Sequence, residues 1–168
     1  MFSTGSRIIG VAEAAGFVGL LSLFNMLGRF FWSSLSDKIG RRATYNSFFI
    51  LGALLYFAIP QLGEQKALIG FIVAFAIIIS MYGGGFATIP AYLRDVFGTK
   101  EIGAIHGRLL LAWSLAALIG PGLINYLREY QIDNLHRPAS EAYSTTMYIM
   151  ATLLVIGLIV NNRIKKRS

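Results

Sequence analysis

The sequence predicts an all-α membrane protein of about five transmembrane helices, on three observations. Hydrophobic residues fill 55% of the 168 positions, mean hydropathy is +0.62, and only 14% of residues are charged. An ordinary soluble domain carries about a quarter. The apolar residues fall into blocks that approach the roughly 20 residues needed to cross a hydrocarbon core of about 30 Å. Ionised side chains gather between those blocks.

Each span can be justified in turn. The first covers about 12–34 and ends at the charged link Ser36 to Arg42. The second, about 43–62, stops at Gly63-Glu64-Gln65-Lys66, which reads as a tight turn. The third, about 67–90, holds Tyr82-Gly83-Gly84-Gly85 and closes at Pro90. Three glycines in a row suit close packing between helices, or a gap facing a ligand. Residues 91–103 are mixed, with Tyr92 to Phe97 expected along the inner membrane surface. Thr99 is expected to cap the next helix, with Glu101 in its first turn. The fourth span, about 104–127, contains Gly120-Pro121-Gly122, where the missing proline N–H predicts a bend. A polar loop over 128–141 leads to the fifth span, about 142–160, and a basic tail.

Fifteen Lys and Arg against eight Asp and Glu give a net charge of +7. In a soluble protein that balance would suggest nucleic acid. Here the cations sit at span ends, as the positive-inside rule requires, and no nucleic-acid partner is expected. One side carries Lys38, Arg41, Arg42, Arg94, Lys100, Arg163, Lys165, Lys166 and Arg167. The other carries Arg7, Lys66, Arg128 and Arg137, outnumbered by Glu13, Glu64, Glu129, Asp133 and Glu141. The N-terminus is therefore expected outside and the C-terminus in the cytoplasm. An exported N-terminus and an odd number of spans sit poorly with folds built from paired repeats. The chain is expected to be a piece of a larger protein. Cysteine is absent, and no cofactor or metal is implied.

The most specific motif lies at the first link, Ser33-Ser34-Leu35-Ser36-Asp37-Lys38-Ile39-Gly40-Arg41-Arg42. It calls for a very tight reversal: Gly40 permits the turn, Asp37 can meet a cation or a helix N-terminus, and the arginines anchor to the membrane face. This segment resembles the signature loop of the major facilitator superfamily, with Ser33 where that pattern has its first glycine. Asn25 to Trp32 and Gly98 to Arg108 further resemble the oxalate/formate antiporter family within it. The resemblance covers nearly the whole chain and implies helices eight to twelve of twelve. Residues 1–168 would then form part of the C-terminal six-helix bundle, with the N-terminal half and one further helix absent. It also implies a multi-pass protein of a bacterial-type inner membrane that moves small organic anions by alternating access. In that family an Arg on the eighth helix and a Lys on the eleventh hold a dicarboxylate. Arg29 falls at the first position and Trp113 at the second. The missing cation puts oxalate itself in doubt and favours a monocarboxylate or another small anion.

Arg29 stands out without the family. A guanidinium inside an apolar span is costly unless it is paired or faces water. Asn25, Arg29 and Trp32 lie at i, i+4 and i+7, on one stripe of the helix. The fork of Arg29 suits bidentate contact with a carboxylate. The alternative is that Arg29 snorkels to the inner interface. Tyr82 and Trp113 are the remaining candidates for the substrate cavity, although Trp113 suits packing equally well. His106 reads as a proton relay or a bland residue at a helix end, and Arg108 as an interfacial anchor.

Three function classes compete: part of a transporter, an intramembrane enzyme, and a small five-span scaffold or regulator. Apart from Glu13 at the outer edge of the first span, no Asp or Glu falls inside an assigned span, and no nucleophile–base pair or metal-ligand cluster is visible, which argues against the enzyme. The isolated chain is expected not to transport. Topology is directly testable: a reporter fused after Ser168 should be cytoplasmic and a tag placed within 131–140 external, whereas the opposite pattern would sink the span order.

Overall fold

The computed structural model describes residues 4–65, 67–134 and 139–164. Lys66, Arg137, Lys165, Lys166 and Arg167, used above to orient the chain, lie outside the described residues. The helices are α1 (Thr4–Ile39), α2 (Arg41–Glu64), α3 (Leu68–Phe97), α4 (Ile102–Glu129) and α5 (Ala139–Arg163), with a π-helical turn, Tyr130–Asn134, after α4. Each helix contains a stretch long and apolar enough to cross a membrane, and the described residues include no strand. A bilayer core offers no water to backbone N–H and C=O groups, so a helix that satisfies them internally is the economical solution. Helix α1 packs on α3, and α2 packs on both α5 and α3. Among the described residues, helix α4 touches α3 and α5 alone, alongside its own π turn.

The reversal between α1 and α2 takes a single residue. Gly40 sits at φ +88°, a conformation that side chains rarely tolerate. Its N–H donates to the Ser36 carbonyl at 3.1 Å, and its own carbonyl accepts from the Thr44 N–H at 3.1 Å and the Thr44 hydroxyl at 3.0 Å. One helix therefore ends and the next begins with few backbone groups left open.

Three elements differ from the expectation. Helix α3 runs through Pro90 to Phe97, so 91–97 does not lie along the membrane surface. Tyr92 and Val96 are buried. The Tyr92 ring stacks on Tyr45 with centroids 4.9 Å apart, and its hydroxyl donates to Asn161 Oδ1 at 2.7 Å. These tertiary contacts hold the extra turns, and the helix stops at Gly98 with φ +81°. Thr99 does not cap α4. Glu101 occupies the N-cap position without a side-chain bond, and α4 has no acidic residue in its first turn. The polar stretch 128–141 is largely helical, since α4 continues to Glu129, the π turn follows, and α5 begins at Ala139; residues 135–138 lie outside the described residues.

The closest approach in the bundle is between α1 and α3. A Cβ on Gly28 would collide with the Ser80 backbone, one on Gly83 with the Asn25 carbonyl, and one on Gly84 with Trp32. Lipid tails are as apolar as leucine, so helix association in a bilayer rests on such close packing and on interhelical hydrogen bonds. At the opposite end of the bundle, Ile59, Ala74 and Met147 form a buried cluster, flanked by Phe71 and Phe75. Helix α4 has no buried residue.

The crossing gives a direct test. Gly84→Leu should destabilise the detergent-solubilised protein by about 1–3 kcal/mol, as overpacking does. Gly107→Ala, where an added Cβ meets nothing within 4 Å, should be neutral or slightly stabilising because alanine favours the helix. Equal thermal midpoints for the two variants would contradict the packing described.

Candidate functional site

Helix α1 turns its Asn25, Gly28 and Trp32 toward α3, which decides where Arg29 points. Trp32 is buried, and its indole N–H donates to Ser80 Oγ at 3.2 Å. Its ring also meets Phe48 of α2 edge-on, with centroids 4.9 Å apart. Asn25 is half-buried against Gly83. Arg29 lies about 60° around the helix from Trp32 and is exposed. Among the described residues it has no hydrogen-bond or ion-pair partner. It stands ten residues from the end of α1 at Ile39, about 15 Å along the axis. An unpaired guanidinium that far inside an apolar helix calls for an anion or for water.

The other candidates form a second group. Tyr82 of α3 and Trp113 of α4 pack with ring centroids 5.5 Å apart, and Phe86 meets Trp113 edge-on at 5.4 Å. Tyr82 and Trp113 both remain substantially exposed, at 52% and 42%. Among the described residues, α1 and α4 come nowhere within 8 Å of each other, Cα to Cα. The stripe read from the sequence therefore divides, since Arg29 faces open space while Asn25 and Trp32 hold the α1–α3 seam; the separate candidates Tyr82 and Trp113 line the α3–α4 seam. His106 is half-buried and Arg108 exposed. Among the described residues no cluster of His, Cys, Asp and Glu could hold a metal.

The motif link is built around Arg41 and Arg42. Arg41 pairs with Asp37 one turn earlier and donates to the buried Ser36 Oγ at 2.7 Å. Arg42 donates to the backbone carbonyl of Asn162, near the C-terminal end of α5, where a cation complements the helix dipole. Next to it, Asn46 donates to Asn162 Oδ1 at 2.9 Å, and Asn161 donates to Asn46 Oδ1 at 2.8 Å. Through Tyr92 the network reaches α3, and Tyr45 adds a bond to the Gly85 carbonyl at 2.7 Å. This polar lock is not visible in the sequence, because Asn161 and Asn162 fall just beyond the expected fifth span. The available signal was two amides at the edge of an apolar span, which rarely go unpaired there.

The comparisons agree with this architecture. The chain matches the family profile of the Major Facilitator Superfamily over residues 4–164. It is 34% identical over 119 residues to the oxalate:formate antiporter of Oxalobacter formigenes, covering 70% of this chain and 28% of that protein. It is 31% identical over 120 residues to apicoplast pyruvate carrier 1 of Toxoplasma gondii, covering 70% of this chain and 21% of the carrier. The chain thus spans about a quarter of the length of these curated relatives. No solved structure matches it significantly. With five apolar helices among the described residues, the signature link and a family match over nearly its full length, the chain belongs to the major facilitator superfamily and is a multi-pass membrane protein.

Proposed function

We propose that this polypeptide supplies the anion-contacting part of an alternating-access transporter for small carboxylates, with Arg29 as the carboxylate contact. The observation that carries this reading is the exposed guanidinium of Arg29, deep within α1 and without a partner among the described residues. Its depth argues against snorkelling, since the helix continues about three turns beyond it. The relatives point to the same chemical class, because oxalate, formate and pyruvate are all small carboxylates. Asn25 and Trp32 orient the turn that bears Arg29. With one cation instead of two, a monocarboxylate is the better fit.

A cavity in this kind of fold forms between repeats that rock against each other. Helix α4, which has no buried side chain, supports a missing neighbour. In this reading the remaining helices come from an N-terminal half and one further span, and the motif link faces the cytoplasm.

The test is carboxylate binding by the transporter assembled with its N-terminal half. A charge-assisted contact is worth about 1.5–3 kcal/mol. Arg29→Gln should therefore weaken binding by about one to two decades, while leaving membrane insertion intact. Arg29→Lys keeps the charge but loses the planar fork, and should recover only part of the affinity. Binding by Arg29→Gln equal to the parent's would make Arg29 an interfacial anchor and defeat the assignment.

A further inference from the structure

A groove away from Arg29 has the shape and polarity of a lipid. Between α2, α3, α4 and α5 lies a chamber of about 360 Å³ whose walls include Phe86, Leu110, Trp113 and Leu154 and carry no charged side chain. A second, more polar cavity of about 820 Å³ sits toward the other end of the same helices, with Arg128 and Asn125 in its wall. Tyr56 lines both. The two are also in register. On α3, Phe75 lines the polar cavity and Ile78 the apolar chamber; on α5, Met150 and Leu154 do the same. Each pair is one helical turn apart, so the cavities stack along one face. Among the described residues, none of α1 contributes to either.

Charge decides the occupant. Arg128 is exposed and, among the described residues, has no hydrogen-bond or ion-pair partner. It stands about 22 Å along α4 from Trp113, so its guanidinium is near the membrane surface when Trp113 is near mid-depth. Tyr143 lines the same mouth, and Tyr126 and Tyr130, at the same level of α4 but outside the cavity wall, stack with centroids 6.4 Å apart. Aromatic residues at this level mark the membrane–water interface. A soluble carboxylate would satisfy Arg128 but has nothing to offer the uncharged chamber beneath. A zwitterionic headgroup offers the same phosphate but brings its own cation beside Arg128, whereas an anionic headgroup offers the phosphate alone. We propose that this groove binds one membrane phospholipid with an anionic headgroup, the headgroup phosphate at Arg128 and Asn125 and one acyl chain passing Tyr56 into the chamber at Trp113.

Photoactivatable lipids read both ends of the site. The chain is reconstituted in phosphatidylcholine vesicles with a trace of phosphatidylglycerol or phosphatidylcholine that carries a diazirine near the end of one acyl chain. Adducts are then mapped by mass spectrometry. Leu118, 81% exposed and outside the groove, reports contact with bulk lipid. The phosphatidylglycerol probe should label Leu110 and Trp113 about fivefold more than the phosphatidylcholine probe, while Leu118 is labelled alike by both. Arg128→Gln should erase that preference. Gly85→Leu, at a position where an added Cβ meets only the Phe48 ring from 3.8 Å, should fill the chamber and cut labelling of Trp113 but not of Leu118. Equal labelling of the chamber by the two probes, or a preference that survives Arg128→Gln in a protein of unchanged helix content, would overturn the proposal.

Discussion

The steric fit of α1 on α3 sets the orientation on which the rest depends. Gly28, Gly83 and Gly84 bring the two backbones together where no side chain would fit. Trp32 then fills the gap below, its indole N–H tied to Ser80. Water is not available to drive helices together inside a bilayer, so this shape match carries the association. Its consequence is rotational. With Trp32 committed to the seam, Arg29 is turned off it, and the guanidinium must find its partner elsewhere.

The end of the bundle that holds the motif link works by polar satisfaction instead. Gly40 makes the turn, Arg41 closes on Asp37 and Ser36, and Arg42 reaches across to α5. Asn46, Asn161 and Tyr92 complete bonds among three helices. A buried amide or hydroxyl without a partner is costly in a low-dielectric setting, so these groups hold α2, α3 and α5 in one relative position. Helix α4 takes no part in either device and has no buried residue.

The sequence revealed the fold class well, because long uncharged blocks admit few structures besides membrane helices. The link from Ser33 to Arg42 was equally readable, since a glycine at an obligatory turn and a fixed charge order are local features. Helix ends were less legible. Helix α3 outran Pro90 because Tyr92 is held by Tyr45 and Asn161, partners distant in the chain. The candidate site was half legible. Arg29 was identifiable from its cost inside an apolar span, and Tyr82 and Trp113 do meet. The stripe Asn25, Arg29, Trp32 was misleading as a single surface, because a helix face of that width is shared between a seam and its open flank. Only the glycines on the facing helix, which no local pattern connects to α1, decide which residue lies where.

Thiol accessibility tests this orientation most directly, and the absence of cysteine from the chain makes single-cysteine labelling clean. Arg29→Cys and Ser80→Cys are introduced separately into the membrane-embedded protein and exposed to a charged, membrane-impermeant thiol reagent. If the glycine crossing turns position 29 toward a water-filled cavity and seals position 80 behind Trp32, Arg29→Cys reacts and Ser80→Cys stays unmodified. Labelling at Ser80→Cys with Arg29→Cys silent would contradict the account.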